Sequence, residues 1–305
     1  MTVPPREPSS VRVTVPEIAA MAARGDRIVM LTAYDAPSAR LADEAGVDIL
    51  LVGDSAGTTV LGLESTVGVT MDEMVVFTRA VVRGARRALV VADLPFGAYE
   101  ISDEQAVASA IRLVREAGAG AVKLEGAGPS LSRARAIAAA GIPVMGHTGL
   151  TPQSAALQGG YRAQGRTAAA ARRLLDEALA LERAGCFAVV LEAVPPQVAA
   201  AITERLRVPT IGIGAGPACS GQVLVWHDLL GLLPGRPPKF VKQYAALGDI
   251  VRGAVDAWAA DVRAGRFPDA SHTYGMPDGE LERFESQLRD RPTSGVRRGT
   301  DGSGA

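Results

Sequence analysis

Three apolar segments of the chain each end in an acidic residue, and these residues are Asp54, Asp93 and Glu125. Each segment lacks polar alternation, which is typical of a buried strand in a parallel sheet. Because parallel strands bring their carboxyl ends to one side, we expect the three carboxylates to meet on a single face. Convergent carboxylates repel one another unless a positive charge lies between them. A hard divalent cation with oxygen ligands is the natural candidate.

Further polar residues lie at the ends of these and other candidate strands. Ser55 follows Asp54 and Lys123 precedes Glu125, while Tyr34, His147 and Glu192 lie at the ends of three other strands. Lys123 and Glu125 are two residues apart, so a regular strand points both side chains to the same side. A lysine inside an apolar strand is costly to bury alone, and either a structural carboxylate or an anionic substrate would relieve that cost. An aspartate after a strand is also common as a turn or capping residue, so a purely structural role stays open for Asp54 and Asp93.

Two other patterns carry less information. The glycine run 212–216 resembles a phosphate-binding loop, but it does not open a first strand–helix unit, and close backbone packing beside any ligand explains it equally well. The histidines show neither HxH nor HExxH spacing, which disfavours zinc. His227 is interpreted as a packed structural residue.

Helices and strands must alternate to position these residues. At four places a helical stretch ends in Ala-Gly, and a strand follows almost at once. Glycine suits the left-handed position that ends a helix. The predicted strands are 28–33, 48–52, 88–92, 121–124, 143–146, 188–191 and 209–213. The predicted helices are 37–45, 71–83, 103–117, 130–140, 167–184, 196–206 and 240–264.

This alternation implies right-handed crossovers and a parallel sheet. An eighth strand is ambiguous, because segment 222–226 is apolar but Ser220 could equally cap a helix there. We predict a single α/β domain, a closed (β/α)8 TIM barrel with parallel strands. An open doubly wound sheet is the lesser alternative.

Composition sets further bounds. The chain has 305 residues, of which 48% are hydrophobic, and its formal net charge is -1. Near-zero net charge argues against a nucleic-acid binder. The two cysteines are too few for a disulfide framework, and no signal peptide or membrane span is apparent, so we expect a cytoplasmic protein. We predict a flexible segment at 1–10, a catalytic barrel at 11–274 and a disordered tail at 275–305.

The order of several short motifs resembles the ketopantoate hydroxymethyltransferase (3-methyl-2-oxobutanoate hydroxymethyltransferase) family. The motifs are TAYD at 32–35, VGDS at 52–55, DLPF at 93–96, VKLEG at 122–126, GHTGLTPQ at 146–153, GGY at 159–161, LE at 191–192, IGIGAG at 211–216 and PKF at 238–240. The resemblance extends from about residue 11 to residue 274. The chain departs from the family's pattern at Ser220, where an aspartate is expected.

The resemblance implies a (β/α)8 enzyme of pantothenate and coenzyme A biosynthesis. Such an enzyme uses Mg²⁺ and takes 5,10-methylenetetrahydrofolate as co-substrate. It adds a hydroxymethyl group to 3-methyl-2-oxobutanoate and gives 2-dehydropantoate through a Mg²⁺-stabilised enolate. The implied assembly is a cytoplasmic homo-oligomer, a decamer, whose partners are small molecules and not nucleic acid or membrane.

Roles for individual residues follow from this resemblance. A 2-oxo acid chelates Mg²⁺ through its carboxylate and keto oxygens, and the metal acidifies the hydrogen on C3. Asp54 and Asp93 are then the expected metal ligands, directly or through water, and Glu125 completes the acidic cluster. Glu192 is the expected general base. The residues expected to bind substrate are Asp54, Ser55, Asp93, Lys123, His147 and Tyr34.

Two rival functions remain open. The phosphoenolpyruvate mutase and isocitrate lyase group also handles oxo-acid enolates with Mg²⁺, but it is expected to carry a Lys-Lys-Cys-Gly-His loop, which this chain lacks. A non-catalytic module that binds an oxo acid through the same metal site is the second rival. Such a module would not require a base at Glu192.

Overall fold

The structure is a computed structural model, and it describes residues 11–157 and 159–289. The chain divides into two compact units, Met1–Gly248 and Asp249–Ala305, whereas the sequence predicts one barrel segment at 11–274. The flexible segment predicted at 1–10 lies outside the described residues. No described helix is both long enough and apolar enough to cross a membrane.

The first unit contains a closed barrel of parallel strands in sequential order. The strands are β1 (Ile28–Thr32), β2 (Ile49–Val52), β3 (Leu89–Asp93), β4 (Ala121–Lys123), β5 (Val144–Gly149), β6 (Ala188–Glu192), β7 (Thr210–Ile213) and β8 (Gly221–Leu224). Strand β8 pairs with both β7 and β1, which closes the barrel. The predicted (β/α)8 barrel is therefore confirmed. The ambiguous segment 222–226 contributes the eighth strand up to Leu224, and a short helix begins at Trp226.

Helices follow or precede the strands along the chain. They are α1 (Val15–Arg24), α2 (Ala36–Glu44), α3 (Ala56–Thr59), α4 (Met71–Gly84), α5 (Asp103–Arg115), α6 (Pro129–Ala139), α7 (Ala168–Arg183), α8 (Pro196–Thr203), α9 (Trp226–Leu229), α10 (Leu247–Arg263) and α11 (Glu280–Arg289). Several begin at a side-chain cap. Thr70, for example, accepts from the backbone N–H of Glu73 while Glu73 accepts from that of Thr70, a capping box.

Helix α11 lies inside the segment for which the sequence predicts a disordered tail. Its residues Leu281, Phe284 and Leu288 recur at helical spacing, a signal that the polar composition of the tail obscures. Residues 290–305 lie outside the described part of the chain. Helix α1 is a second difference, since no helix is predicted before the first strand. Thr14 caps α1, and a proline occupies its first turn, a recognised start signal.

Side chains along the strands alternate between two apolar layers. Ile49 and Leu51 belong to a cluster inside the barrel, whereas Leu50 and Val52 pack against the surrounding helices. The same alternation decides which residues point inward at the carboxyl ends. On β3 the inward series Leu89 and Val91 continues with Asp93. The apolar filling of the barrel thus ends in a polar layer at this mouth.

Candidate active site

A cavity of about 1180 Å³ opens at the carboxyl ends of the strands. Most of the residues predicted from the sequence line it: Asp54, Ser55, Asp93, Lys123, Glu125, His147 and Glu192. These residues come from the ends of five successive strands, β2 to β6. Tyr34 is buried, and its hydroxyl oxygen lies 2.8 Å from Ser55 Oγ, so it reaches the cavity through that serine.

Lys123 is the buried cation among the carboxylates of the polar layer. Its Nζ lies 3.0 Å from Asp93 Oδ1 and 4.0 Å from Glu125 Oε1. The first contact follows directly from strand register, because Asp93 and Lys123 are paired neighbours on β3 and β4. Burial lowers the pKa of Lys123, but the charges of Asp93, Glu125 and Asp54 outweigh it, so the pKa of this ammonium is raised.

Asp54 and Asp93 are in direct contact. The backbone N–H of Asp54 donates to Asp93 Oδ2 at 3.1 Å. Burial and the charges of Asp93 and Glu125 raise the pKa of Asp54 well above its usual range. Burial also raises the pKa of Asp93, and Lys123 offsets this only in part. Gly53 leaves room for the Ser55 hydroxyl, since a Cβ there would lie 2.7 Å from Ser55 Oγ.

His147 lies between two carboxylates. Its Nδ1 is 3.2 Å from Glu125 Oε1, and its Nε2 is 3.3 Å from Glu192 Oε2. Burial and Lys123 lower the pKa of His147, but the charge of Glu125 and the interactions with the Glu125 and Glu192 carboxylates raise it to about 9. This raised pKa favours the imidazolium form at neutral pH, in which both ring nitrogens face a carboxylate. His147 and Lys123 in turn lower the pKa of Glu125 against the effect of its burial.

Glu192 is the most accessible of these acids. Its side chain is 16% exposed, compared with 3% for Glu125 and 4% for Asp93. It ends β6 on the inward series of Ala188 and Val190, so its carboxylate borders the open part of the cavity. Of the acids at the floor, Glu192 can best reach a bound molecule without leaving its strand position.

Two residues of the site, Gln153 and Tyr99, have no role in the sequence-based prediction. Gln153 Nε2 donates to Asp54 Oδ2 at 2.8 Å, and the Gln153 backbone N–H donates to Glu125 Oε2 at 3.0 Å. The Tyr99 hydroxyl donates to Gln153 Oε1 at 2.5 Å. Gln153 ends the motif at 146–153 that also contains His147, so proximity in sequence could have suggested it. No local signal marks Tyr99.

The outer part of the cavity is positively charged. It carries four exposed cations: Arg162, Arg166, Arg236 and Lys239. No ion pair joins any of them to a carboxylate within the described residues. Two acids, Glu64 and Asp228, share this outer part. The cavity is therefore acidic at its floor and basic at its mouth, an arrangement that suits an elongated molecule with an anionic end.

Protein side chains alone do not make a metal cage here. Across the described ranges, no group of three or more His, Cys, Asp or Glu side chains is arranged to hold a metal ion by itself. Two buried atoms of the site nevertheless lack a well-angled hydrogen bond, Asp93 Oδ1 and His147 Nε2, although each lies beside a charged neighbour. One oxygen of Asp54 accepts from Gln153, and its Oδ1 meets no donor from the described residues.

Comparison with known proteins gives one consistent result. The family model for ketopantoate hydroxymethyltransferase matches residues 12–270. A 3-methyl-2-oxobutanoate hydroxymethyltransferase from Nitratidesulfovibrio vulgaris is 57% identical over 265 residues, which cover 87% of this chain and 86% of the relative. The enzyme of the same name from Thermobifida fusca is 57% identical over 263 residues, covering 86% of this chain and 94% of the relative.

Solved structures resemble the chain in fold. A phosphonopyruvate hydrolase in complex with oxalate and Mg²⁺ matches with a TM-score of 0.56 and 14% identity, covering 91% of this chain and 97% of that one. A 2,3-dimethylmalate lyase of the phosphoenolpyruvate mutase/isocitrate lyase superfamily matches with a TM-score of 0.54 and 16% identity, covering 91% and 99%. At this level of identity, the likeness concerns the barrel and not the chemistry.

Proposed function

The chain belongs to the ketopantoate hydroxymethyltransferase family, and on this basis we propose that it transfers a hydroxymethyl group from 5,10-methylenetetrahydrofolate to 3-methyl-2-oxobutanoate. The product is 2-dehydropantoate. The observation that carries the proposal is the polar layer at the barrel mouth, where two cations lie among four carboxylates inside one cavity. A 2-oxo acid requires such a mixture, because its carboxylate needs a cation and its C3 proton needs a base.

Mg²⁺ fits the donor set at Asp54 and Asp93. Mg²⁺ keeps several waters and is commonly held by one or two carboxylates together with substrate oxygens, so it does not need a cage of protein ligands. We assign Asp54 Oδ1 and Asp93 Oδ1 to the ion, because Gln153 occupies the other oxygen of Asp54 and the Asp54 backbone N–H occupies the other oxygen of Asp93. Asp93 Oδ1 also lies 3.0 Å from Lys123 Nζ. Both oxygens of Glu125 already face donors, so we assign it a contact through water. When bound, Mg²⁺ would supply a Lewis acid that polarises the keto group.

Glu192 is the proposed general base. His147 holds its carboxylate from one side at 3.3 Å, and the other side borders the cavity. The base takes the proton from C3, and the resulting enolate carbon forms a bond to the methylene carbon of the folate. The methylene carbon bridges two nitrogens of the folate, so both of its carbon–nitrogen bonds break: one as the bond to the substrate carbon forms, and one as water adds and provides the hydroxyl oxygen. The two nitrogens take up the proton removed from C3 and one proton of the water, which gives tetrahydrofolate.

The substrate carboxylate is assigned to Lys123 and Ser55. Lys123 has three donor hydrogens, and Asp93 engages one of them at 3.0 Å. The Ser55 hydroxyl lies at the cavity wall, where Tyr34 Oη at 2.8 Å orients it. Tyr34 stays a neutral donor, because burial raises its pKa above the usual value. The basic mouth would then receive the anionic end of the larger folate.

The test separates enolisation from one-carbon transfer. In heavy water, the enzyme with Mg²⁺ should exchange the C3 hydrogen of 3-methyl-2-oxobutanoate without any folate. Glu192→Gln should still bind the oxo acid but should exchange at least about 100-fold more slowly, the usual scale for loss of a general base. Glu64→Gln, which removes another acid of the same cavity, is the matched control and should exchange at the parent rate.

The rival functions give different outcomes. A sensor that only binds the oxo acid would show the same affinity in Glu192→Gln and would exchange no C3 hydrogen in either form. An enzyme of the mutase or lyase type could exchange the hydrogen but would make no 2-dehydropantoate from 5,10-methylenetetrahydrofolate. Absence of that product under conditions that support exchange would contradict the proposed function.

A further inference from the structure

We infer that Gln153 and Tyr99 are positioning residues, which together hold Asp54 and Glu125 in the orientation that a divalent cation and an oxo acid require. The inference rests on the proposed function, since it assigns a task to residues behind the proposed metal and substrate groups. Gln153 and Tyr99 are buried, at 7% and 4% exposure, and neither lines the cavity. They act through other residues and do not contact a ligand.

Gln153 is the central residue of this arrangement. Its amide nitrogen donates both hydrogens, to Asp54 Oδ2 at 2.8 Å and to the Leu94 carbonyl at 3.0 Å. Its backbone N–H donates to Glu125 Oε2 at 3.0 Å. Gln153, a single residue in the loop after β5, therefore holds one oxygen of Asp54 after β2 and one oxygen of Glu125 after β4. The remaining oxygens, Asp54 Oδ1 and Glu125 Oε1, are left for the cavity and for His147.

Tyr99 decides which way the Gln153 amide points. The Tyr99 oxygen accepts from the backbone N–H of Glu125 at 3.3 Å, so its own hydrogen is available for Gln153 Oε1. If the amide were reversed, its oxygen would face two acceptors, Asp54 Oδ2 and the Leu94 carbonyl. A buried acceptor without a donor is costly, and two such contacts would arise at once. Tyr99 thus ensures that a donor faces Asp54.

A neutral amide suits this task better than a charged side chain. A lysine in place of Gln153 would add a positive charge beside Asp54 and would compete with the cation. A carboxylate would repel Asp54 and leave it without a donor. The amide fixes the geometry and leaves the negative charge of Asp54 for the metal. Replacing a residue that orients a metal ligand in this way commonly lowers metal affinity by about 10- to 100-fold.

The experiment measures Mn²⁺ affinity of the full-length enzyme by electron paramagnetic resonance, without substrate or turnover. Tyr99→Phe removes only the hydroxyl, so the fold should persist, and we expect the dissociation constant to rise several-fold. Gln153→Met keeps the length of the side chain without its hydrogen bonds, and we expect a rise of about tenfold or more. The double variant should bind no more weakly than Gln153→Met, since Tyr99 acts through Gln153.

The matched controls are Tyr161→Phe and Gln222→Met, which alter the same residue types at the cavity wall. Neither side chain bonds to a carboxylate in the described residues, and Gln222 donates to the Gly216 carbonyl. Both controls should bind Mn²⁺ as the parent does. Thermal unfolding then distinguishes positioning from folding. Tyr99→Phe leaves Gln153 Oε1 and the Glu125 backbone N–H without their partner, so its midpoint should fall, and the inference requires lower affinity at a temperature where the variant is still fully folded.

The outcomes separate this inference from the proposed function. If the parent binds Mn²⁺ but forms no 2-dehydropantoate, the proposed function fails, and the variants can still be compared by affinity. If Tyr99→Phe and Gln153→Met both bind Mn²⁺ as tightly as the parent, the positioning role is wrong even in an active enzyme. A parent that binds no divalent cation would overturn both.

Discussion

At the scale of single residues, the site depends on two buried cations, Lys123 and His147, which offset part of the charge of four carboxylates. Lys123 lies among Asp93, Glu125 and Asp54, and each of these carboxylates raises its pKa. Breaking a buried ion pair leaves an uncompensated charge, which is more costly than the pair was favourable. Lys123 therefore stabilises the folded protein, in addition to any role that it has in binding substrate.

We expect Lys123→Met to lower the free energy of unfolding by about 3–5 kcal/mol in magnesium-free buffer near pH 8. The pKa values of Asp54 and Asp93 are already raised, and the variant loses the cation that holds them down. A group with a raised folded pKa contributes stability at low pH and loses it as the pH rises through that pKa. The deficit should therefore shrink between about pH 8 and about pH 5.

Urea unfolding of both forms at the two pH values measures this effect. Lys242→Met is the control, because Lys242 is exposed and lies 4.7 Å over the Tyr244 ring. Its loss should cost less than about 1 kcal/mol at either pH. A deficit in Lys123→Met that is independent of pH would show that the carboxylates do not depend on this lysine.

At the scale of elements, helices α2 and α4 pack closely at Gly84. A Cβ at Gly84 would lie 2.8 Å from the Ala39 Cβ and even closer to the Ala36 carbonyl oxygen. The Ala36 backbone belongs to the first turn of α2 and cannot move aside as a flexible side chain would. Gly84 does not have a positive φ, so the requirement is steric and not conformational.

We expect Gly84→Ala to lower the free energy of unfolding by about 1–3 kcal/mol, as overpacking commonly does. Helix propensity alone would give the opposite sign, because alanine favours a helix over glycine by up to about 1 kcal/mol. Gly253→Ala in α10 is the matched control, since a Cβ there would meet nothing within 4 Å, and we expect it to leave stability unchanged or raised. Equal changes in the free energy of unfolding of the two variants, measured by urea denaturation, would refute the packing argument.

At the scale of the whole molecule, the cavity separates its charges by depth. The floor holds the carboxylates of the strand ends, and the mouth holds the exposed cations of two loops. We expect Arg162→Gln/Arg236→Gln to raise KM for 5,10-methylenetetrahydrofolate about fivefold, if each exposed contact contributes about 0.5 kcal/mol. The rate of exchange of the C3 hydrogen of the oxo acid should be unchanged, because the residues proposed for this step lie at the strand ends and not at the cavity mouth.

The control for this pair is Arg79→Gln/Arg115→Gln, which removes two exposed cations from α4 and α5, outside the cavity. It changes the net charge equally, so any effect of overall charge would appear in both double variants. The KM of Arg162→Gln/Arg236→Gln should exceed that of the parent at low ionic strength. The two KM values should become similar at raised ionic strength, since salt screens exposed charges. An equal effect of both double variants would contradict a local role for the mouth.

Much of the site could be predicted because strand alternation is a local property. Side chains two residues apart on a strand point to the same face. This places Glu125 on the same side as Lys123, and Asp93 on the same side as Val91. Other features could not be read in this way. Strand β8 is short, and its residues Gly221 and Gln222 become a strand through pairing with both neighbours. Helix α11 was hidden because the composition of the surrounding tail is that of a disordered segment.

The barrel, the strand ends that carry acids and bases, and the family can all be identified from the amino-acid sequence alone. Each of these is encoded in periodicity or in short contiguous motifs. The folded molecule was needed to see that Tyr99 and Gln153, 54 residues apart, meet behind Asp54 and Glu125, and that His147 lies between two acids. This is because hydrogen-bond partners and buried charges depend on distances across the barrel, which barrel closure sets and no local pattern contains.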